Sequence, residues 1–288
     1  MKFAHRVTTT VLNAVPDRLF LSLLFFRVKH EILHLRNPQK YTEKVQWLKL
    51  YGTLERYIPY VDKFEVRGFI EKTIGTSYLV PLIGMWECFD DIPRSSLPER
   101  FVLKSTNGCG HNFICKDKKT VDWTSLKTDV DAWMAEDFYK QEREPQYKFT
   151  PRIIIEEYLE DEFGGLRDYK ILCSGGVPAL VQVDVDRFSE HKSELYTPDW
   201  KKLDHISVAS FSEEHVEIAK PDTLPQMLDI AARLASQFPF VRVDLYSVGD
   251  RIYFGELTFT PGSGLVRFTP KSADLELGKL IDLSLVQA

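Results

Sequence analysis

The chain has 288 residues, 44% of them hydrophobic and 27% charged, with a formal net charge of −5 at pH 7. That length can bury a sizeable core in one to three subdomains, and no nucleic-acid partner is expected of so acidic a chain. Cys88, Cys109, Cys115 and Cys173 show no Cys-x-x-Cys spacing and follow no secretory signal, which argues against a disulfide scaffold and for a reducing, cytoplasmic setting.

Charge is spread unevenly: residues 1–50 hold nine Lys/Arg against three Asp/Glu, leaving 28 against 39 in the remainder. Residues 1–60 are expected to form a helical N-terminal region. Within it Phe20-Leu21-Ser22-Leu23-Leu24-Phe25-Phe26, flanked by Arg18, Arg27 and Lys29, is far shorter than the about 20 apolar residues that span a bilayer. It lacks a small-residue cleavage site. Either it is an amphipathic helix making peripheral contact with an anionic membrane through residues 1–30, or it packs on the core. The second is favoured, because most amphipathic helices face a core. His30-Glu31-Ile32-Leu33-His34 matches the zinc-protease pattern, but no third ligand follows nearby and a surface helix is the better reading.

Periodicity predicts a helix over residues 61–74 stopped by Gly75-Thr76, a strand over 78–84 and a proline-bearing loop over 90–100. Strands are expected at 101–104 and 112–116. Between them, Lys104 leads into Ser105-Thr106-Asn107-Gly108-Cys109-Gly110-His111-Asn112. Gly108 and Gly110 permit backbone geometries that let amide N–H groups approach an anion, and Lys104 supplies a point charge for phosphate. The lysine precedes the glycines, so this is not the P-loop pattern. A helix around 121–139 and a charged link over 140–148 lead to a β-branched strand, 152–157, ending in Glu156-Glu157. Such a strand end offers backbone groups to a purine and carboxylates to ribose hydroxyls.

Asp168 to Cys173, the turn Ser174-Gly175-Gly176 and the run from Val177 to Arg187 form a hairpin with a cation on each arm, Lys170 and Arg187. Asp184-Val185-Asp186 matches the Asp-x-Asp pair with which many glycosyltransferases hold a metal, although two solvated charges beside Arg187 are the commoner origin of so short a pattern. A helix over 224–238 precedes the most informative stretch. There Val241, Val243 and Leu245 alternate with Arg242, Asp244 and Tyr246, and after Val248-Gly249-Asp250 a partner returns through Ile252, Phe254 and Leu257. Paired in this way, Asp244 and Glu256 can converge on a divalent cation while Arg242 holds a negatively charged group; magnesium with phosphates is the natural guest.

The order of these pieces resembles the ATP-grasp superfamily and, more narrowly, its TupA-like branch, associated with teichuronopeptide and other surface-polysaccharide biosynthesis. The narrower resemblance is carried by Asn37-Pro38 through Glu43-Lys44-Val45-Gln46-Trp47-Leu48-Lys49-Leu50-Tyr51, by Asp62 to Arg67, Phe101 to Gly110, Asp168-Tyr169-Lys170 and Arg242 to Gly264. It covers nearly the whole chain. It implies an α+β, ATP-grasp fold with two α/β lobes enclosing a nucleotide cleft: a helical N-terminal region (1–60), a smaller nucleotide-binding part (61–157) and a larger lobe with the metal site (158–288).

The resemblance also implies ATP and Mg2+. Lys104 and Lys63 would meet the phosphates, and the loop containing Asn107, Gly108 and Gly110 would be a mobile lid over them. Glu156, Glu157 and Leu159 would line the adenine and ribose site, Lys170 would meet the γ-phosphate, and Asp244 with Glu256 would hold magnesium. Arg187 and Arg242 would face an acyl phosphate or the substrate carboxylate. The superfamily usually has Asn two places after the glutamate as a third metal ligand; Thr258 stands there in this chain, and a hydroxyl is a weaker ligand. The implied enzyme is a carboxylate–amine ligase, joining a small-molecule or glycan carboxylate to an amine through an acyl phosphate. Other readings are a metal-dependent glycosyltransferase using a nucleotide sugar, an ATP-grasp kinase phosphorylating a sugar hydroxyl, and an inactive glycan-binding protein.

Overall fold

Strands in which one residue in two is apolar bury one face and leave the other for chemistry, and two antiparallel sheets of this kind organise the chain. The computed structural model describes residues 15–161, 166–185, 192–208 and 216–286. Its helices are α1 (Asp17–Lys29), α2 (Tyr41–Tyr51), α3 (Ile58–Val61), α4 (Val66–Thr73), α5 (Trp123–Met134), α6 (Phe138–Glu142), α7 (Leu224–Ala235) and α8 (Ala273–Gly278). Among the described residues no helix is long and apolar enough to cross a membrane.

The first sheet joins β1 (Leu82–Trp86), β2 (Phe101–Ser105), β3 (Asn112–Cys115) and β4 (Ile153–Glu157) in the order β1-β4-β2-β3. Phe101, Leu103, Ile153 and Ile155 bury one face against Leu126 and Val130 of α5. Lys104 lies beside Ile154 in the β2–β4 register, with Glu156 two residues further on, so all three occupy the opposite face. β4 is central and buried on both sides, which is why it is a continuous isoleucine run.

The second sheet joins β5 (Asp168–Ser174), β6 (Val177–Val185), β7 (Lys192–Tyr196), β9 (Phe240–Val248) and β10 (Arg251–Thr258) in the order β10-β9-β5-β6-β7. Tyr169, Ile171, Val181, Val183, Val241, Val243 and Leu245 form its apolar face and pack on Met227, Ile230, Ala231 and Leu234 of α7. The other face is divided along its length. At one end Leu172, Leu180, Leu195 and Phe240 pack on Tyr41, Val45 and Leu48 of α2 and on Ala273 and Leu277 of α8; at the other, the same alternation presents charged residues. A two-stranded ribbon of β8 (Ser207–Val208) and β11 (Phe268–Thr269) completes the strands.

Several sequence expectations are refined by local caps. The helix expected over 61–74 is broken at Asp62, whose Oδ1 accepts the N–H groups of Phe64 and Glu65, so that α3 stops and α4 begins anew. The helix expected over 121–139 divides into α5 and α6, with Asp137 accepting the N–H of Lys140 at the start of the second. His30 has φ 57° and caps α1, so His30 and His34 do not share a helix face and the zinc-protease pattern has no geometry here. The charged link over 140–148 is partly helical, and Arg143, Glu144 and Gln146 within it are buried.

The N-terminal helices are clasped to the segment around α8. Lys29 Nζ donates to Asp274 Oδ2 (2.8 Å) and to the Val266 carbonyl (2.7 Å), and Asp274 also accepts the Thr42 N–H and hydroxyl at 2.9 and 2.6 Å. Both partners of this ion pair are 4% exposed. Lys29→Met is therefore expected to lower unfolding free energy by about 3–5 kcal/mol, since it strands a buried carboxylate, whereas adding Asp274→Leu should recover at least half of the loss. Urea unfolding of the two variants measures this; a single variant as stable as the parent would refute the clasp.

Candidate active site between the two sheets

The cleft is built where the polar face of the first sheet meets β10 of the second. Lys63, Arg67, Lys104 and Glu156 line one side, and Phe254 and Gly255 line the other. Lys104 Nζ donates to Glu156 Oε2 at 2.7 Å, and Arg67 Nη1 donates to Glu156 Oε1 at 2.9 Å. Glu156 is therefore held by two cations. Glu157, the next residue along the strand, is exposed, and Leu159 lies half-buried beyond the strand end, because successive strand residues point to opposite faces.

Lys63 follows the break at Asp62. Its Nζ donates to the carbonyl oxygens of Gly108 (2.6 Å) and Asn107 (3.3 Å), and its N–H donates to the Thr106 carbonyl. Burial pushes its pKa down, with the Glu256 carboxylate pulling the other way. The glycine loop is thus tied to the cleft floor. Asn107 is buried and donates to the Trp133 carbonyl at 3.4 Å. Gly108 has φ +61° and lies under the Phe138 ring, so close that a Cβ would sit 2.2 Å from it; Gly110, at φ +77°, faces open space. His111 stacks on Trp133, with its ring nitrogens 2.6 Å from Glu136 and 3.1 Å from the Ser105 hydroxyl.

Opposite the cations lies an acid-rich cluster whose geometry depends on one extra residue. Phe254 pairs with Leu245 and Glu256 with Asp244, so Gly255 is a bulge between them. Without it Glu256 would turn into the apolar core; with it Glu256 stands beside Asp244 on the charged face. A Cβ at position 255 would meet the Asp244 carbonyl at 3.1 Å and the Tyr246 ring at 3.2 Å, so the bulge calls for glycine.

Arg242 binds both oxygens of Asp244, through Nε at 2.7 Å and Nη2 at 2.6 Å, and Nη2 also reaches Glu256 (3.2 Å) and the Thr258 hydroxyl (3.1 Å). Thr258 in turn donates to Glu256 at 3.2 Å. Lys170 Nζ sits among Asp168, Asp244 at 3.2 Å and Asp184 at 3.5 Å. Burial opposes the charge on Lys170, yet Asp168 and Asp244 outweigh it and hold the ammonium protonated above its ordinary pKa. Arg242 is likewise held charged against burial, chiefly by Asp244. Burial pushes Asp244 up to about 6 against the pull of Arg242 and Lys170.

The fold thus brings Lys63, Lys104 and Glu156 to one side of the cleft, ties Asn107 and Gly108 to Lys63 through their carbonyls while Gly110 faces open space, and brings Lys170, Arg242, Asp244 and Glu256 to the charged face of the other sheet. Arg187 and Asp186 lie outside the described residues. Arg67 was not singled out by sequence, although its place four residues after Lys63 is a signal. Asp168 and Asp184 were also missed as partners of Lys170. Strand alternation puts Asp168 beside Lys170, and the tight turn of the hairpin sets Asp184 opposite Asp168. A further buried set reaches the end of β10: Lys49 lies 3.7 Å from Glu144, which accepts the Thr260 hydroxyl, and Gln146 donates to that hydroxyl at 2.8 Å.

Residues 43–282 match the model of the family described as TupA-like ATPgrasp. Among curated proteins no match is found. Solved structures similar to this one include an ATP-grasp ligase, PsnB, complexed with minimal precursor, Mg and ADP. It shows 12% identity over 88% of this chain and 67% of that chain, with a TM-score of 0.40. Another is the D-alanine–D-alanine ligase from Helicobacter pylori, with 12% identity over 85% of this chain and 70% of that chain and a TM-score of 0.41.

The two loop glycines make the docking of the loop testable. Gly110→Ala is expected to cost about 1–2 kcal/mol for the left-handed backbone alone. Gly108→Ala should cost about 1–3 kcal/mol more, because the new methyl must displace the Phe138 ring. Equal losses on urea unfolding would show that Phe138 does not hold the loop.

Proposed function

The chain belongs to the TupA-like ATP-grasp family, and from that premise we propose that it is an ATP-grasp ligase that joins a carboxylate to an amine through an acyl phosphate. The observation that carries this reading is the meeting of Lys63, Arg67 and Lys104 with Phe254 and Gly255 across one cleft, next to Asp244 and Glu256 on adjoining strands. A polyphosphate needs cations on one side and, on the other, acids that can share a divalent ion.

The acids fit Mg2+ bound together with a nucleotide. Among the described residues no group of three His, Cys, Asp or Glu could hold a metal, so a resident all-protein cage is not supported. Mg2+ keeps several waters and takes one or two carboxylates plus substrate phosphates, which matches Asp244 and Glu256. Bound there, it would neutralise charge on the phosphate oxygens. Thr258 spends its hydroxyl on Glu256 and accepts from Arg242, which supports one metal ion rather than two.

In this reading Lys63, Arg67 and Lys104 bind the ATP phosphates, Glu156 faces the cleft beside them, and Glu157 and Leu159 offer backbone groups to the nucleoside at the strand end. An oxygen of the substrate carboxylate attacks the γ-phosphorus as the bond to ADP breaks. The amine nitrogen then attacks the acyl carbon, inorganic phosphate leaves and the nitrogen gives up its proton. Lys170 and Arg242 act on the charge of the transferring phosphoryl group and of the acyl phosphate, joined there by Arg187. Both described cations are oriented in advance by carboxylates, so little reorganisation accompanies the reaction. The loop from Ser105 to Asn112 closes over the phosphates and excludes water that would hydrolyse the activated acid.

We assign the carboxylate or the amine to a cell-surface polysaccharide or its precursor, with the enzyme at work in the cytoplasm. What supports the substrate is the association of the TupA-like branch with surface-polysaccharide biosynthesis. Asp184 is buried beside Lys170 and is not the solvated charge its short motif suggested, and the family match lends nothing to a glycosyltransferase.

Lys104→Ala and Asp244→Asn are each expected to lower ATP turnover about 100-fold or more with the circular dichroism spectrum unchanged; ATPase activity near that of the parent in either variant rejects the assignment. A second check compares ligands by thermal shift. ATP with magnesium should raise the melting temperature and UDP-sugars with manganese should not, because only a ligand that binds the folded state stabilises it. The reverse result would favour a glycosyltransferase.

A further inference from the structure

Helix α1 is apolar on two sides. Phe20, Leu21 and Phe25 are buried against Leu33 and Leu35 and beneath Trp47. Leu19, Leu23 and Phe26 point the other way and are 53%, 59% and 57% exposed. Their spacing of four and three residues puts them on one stripe of the helix. Just past the cap, Ile32 is 71% exposed. A surface helix that only packs on a core carries polar residues on its outer face; this one carries leucine and phenylalanine.

The cations around the stripe are of two kinds. Lys29 is taken up by Asp274, Lys40 by Glu31 and Lys49 by Glu144. Arg18, Arg27 and Arg36 make no ion pair among the described residues, and Arg18 and Arg27 are exposed on α1 itself. Arg18 and Arg36 line a groove with Trp47 and Tyr51, whose rings are 5.0 Å apart. Guanidinium groups over amphipathic aromatic rings suit the level at which lipid phosphates meet acyl chains.

We propose that this face is a docking surface for an anionic lipid bilayer, with Leu19, Leu23 and Phe26 entering the acyl boundary and Arg18, Arg27 and Arg36 contacting headgroup phosphates. Charge decides between this partner and a second copy of the chain. Residues 1–50 carry an excess of six positive charges and the remainder an excess of eleven negative ones. Pairing two copies through α1 would set like charges against each other. An anionic surface attracts the basic end and repels the rest, which also orients the molecule.

The test is flotation of the full chain with vesicles of phosphatidylcholine alone and of phosphatidylcholine with about one third phosphatidylglycerol. The chain should float with the anionic vesicles only. The triple variant Leu19→Ser, Leu23→Ser, Phe26→Ser should bind about tenfold more weakly or worse, and Arg18→Glu, Arg27→Glu, Arg36→Glu should do the same, both with unchanged melting temperatures. Three results would overturn the proposal: no flotation of the parent, undiminished flotation of the serine variant, or a parent dimer in sedimentation equilibrium that the serine variant converts to monomer. The last would give the stripe to a second copy.

Discussion

Four carboxylates and two cations share one face of the five-stranded sheet, and the rest of the molecule is arranged around keeping them paired. Asp168, Lys170, Asp184 and Asp244 are almost wholly buried. A buried charge costs several kcal/mol unless opposite charges and hydrogen bonds compensate it, so none of these side chains is tolerable alone. Their mutual pairing constrains strand register. Asp168 must lie opposite Asp184, Lys170 opposite Asp244, and Glu256 beside Asp244 through the bulge at Gly255. A slip by one residue would turn the charged set into the core formed by Val181, Val243 and Leu245.

Across the cleft the balance of sign is reversed. Lys104 faces it from the first sheet, Lys63 from the turn before α4 and Arg67 from α4 itself, with Glu156 as the one carboxylate among its lining residues. In the ligase reading the two sides of the cleft divide the work: the first sheet and α4 supply donors for phosphate, and the second sheet supplies acids for a divalent ion together with cations already oriented by aspartates. Such an arrangement is costly in stability when empty and rewarding when a polyanion with its metal fills it. In the same reading the ties of Lys63 to the glycine loop couple loop position to phosphate binding through one side chain.

The N-terminal helices serve the site from behind. α2 covers the apolar half of the face whose other half is charged, and its Lys49 reaches Glu144 under the end of β10. Lys29, Thr42 and Lys44 hold the C-terminal segment against that helix, Lys44 through the carbonyls of Gly278 and Ile281. The same region leaves α1 with an outer apolar stripe that the enzyme's own described residues do not cover.

Much of this was legible in the residue order. Alternation over 241–246 and around 252–257 foretold the hairpin that carries Asp244 and Glu256, although strict alternation would send Glu256 to the core face without the bulge at Gly255, the strand before the glycine loop foretold where Lys104 emerges, and the family resemblance put these pieces in one cleft. Helix breaks at Asp62 and Asp137 were less visible, since a capping aspartate and a mid-helix aspartate look alike until the backbone around them is placed. Burial of Arg143, Glu144 and Gln146 was hidden for a similar reason: a charged run reads as solvated unless its partners, here Asp17, Lys49 and Thr260 in distant parts of the chain, are known.

By itself the sequence determined the strand that carries Lys104 and the hairpin that carries Asp244 and Glu256, because periodicity and turn chemistry are local properties. Only the tertiary structure decided that Arg67 joins Lys104 on Glu156, that Gly255 is the residue which turns Glu256 toward Asp244, and that three aspartates enclose Lys170. Those outcomes depend on register between distant strands and on charge compensation in a buried space, and neither is a property of any one segment.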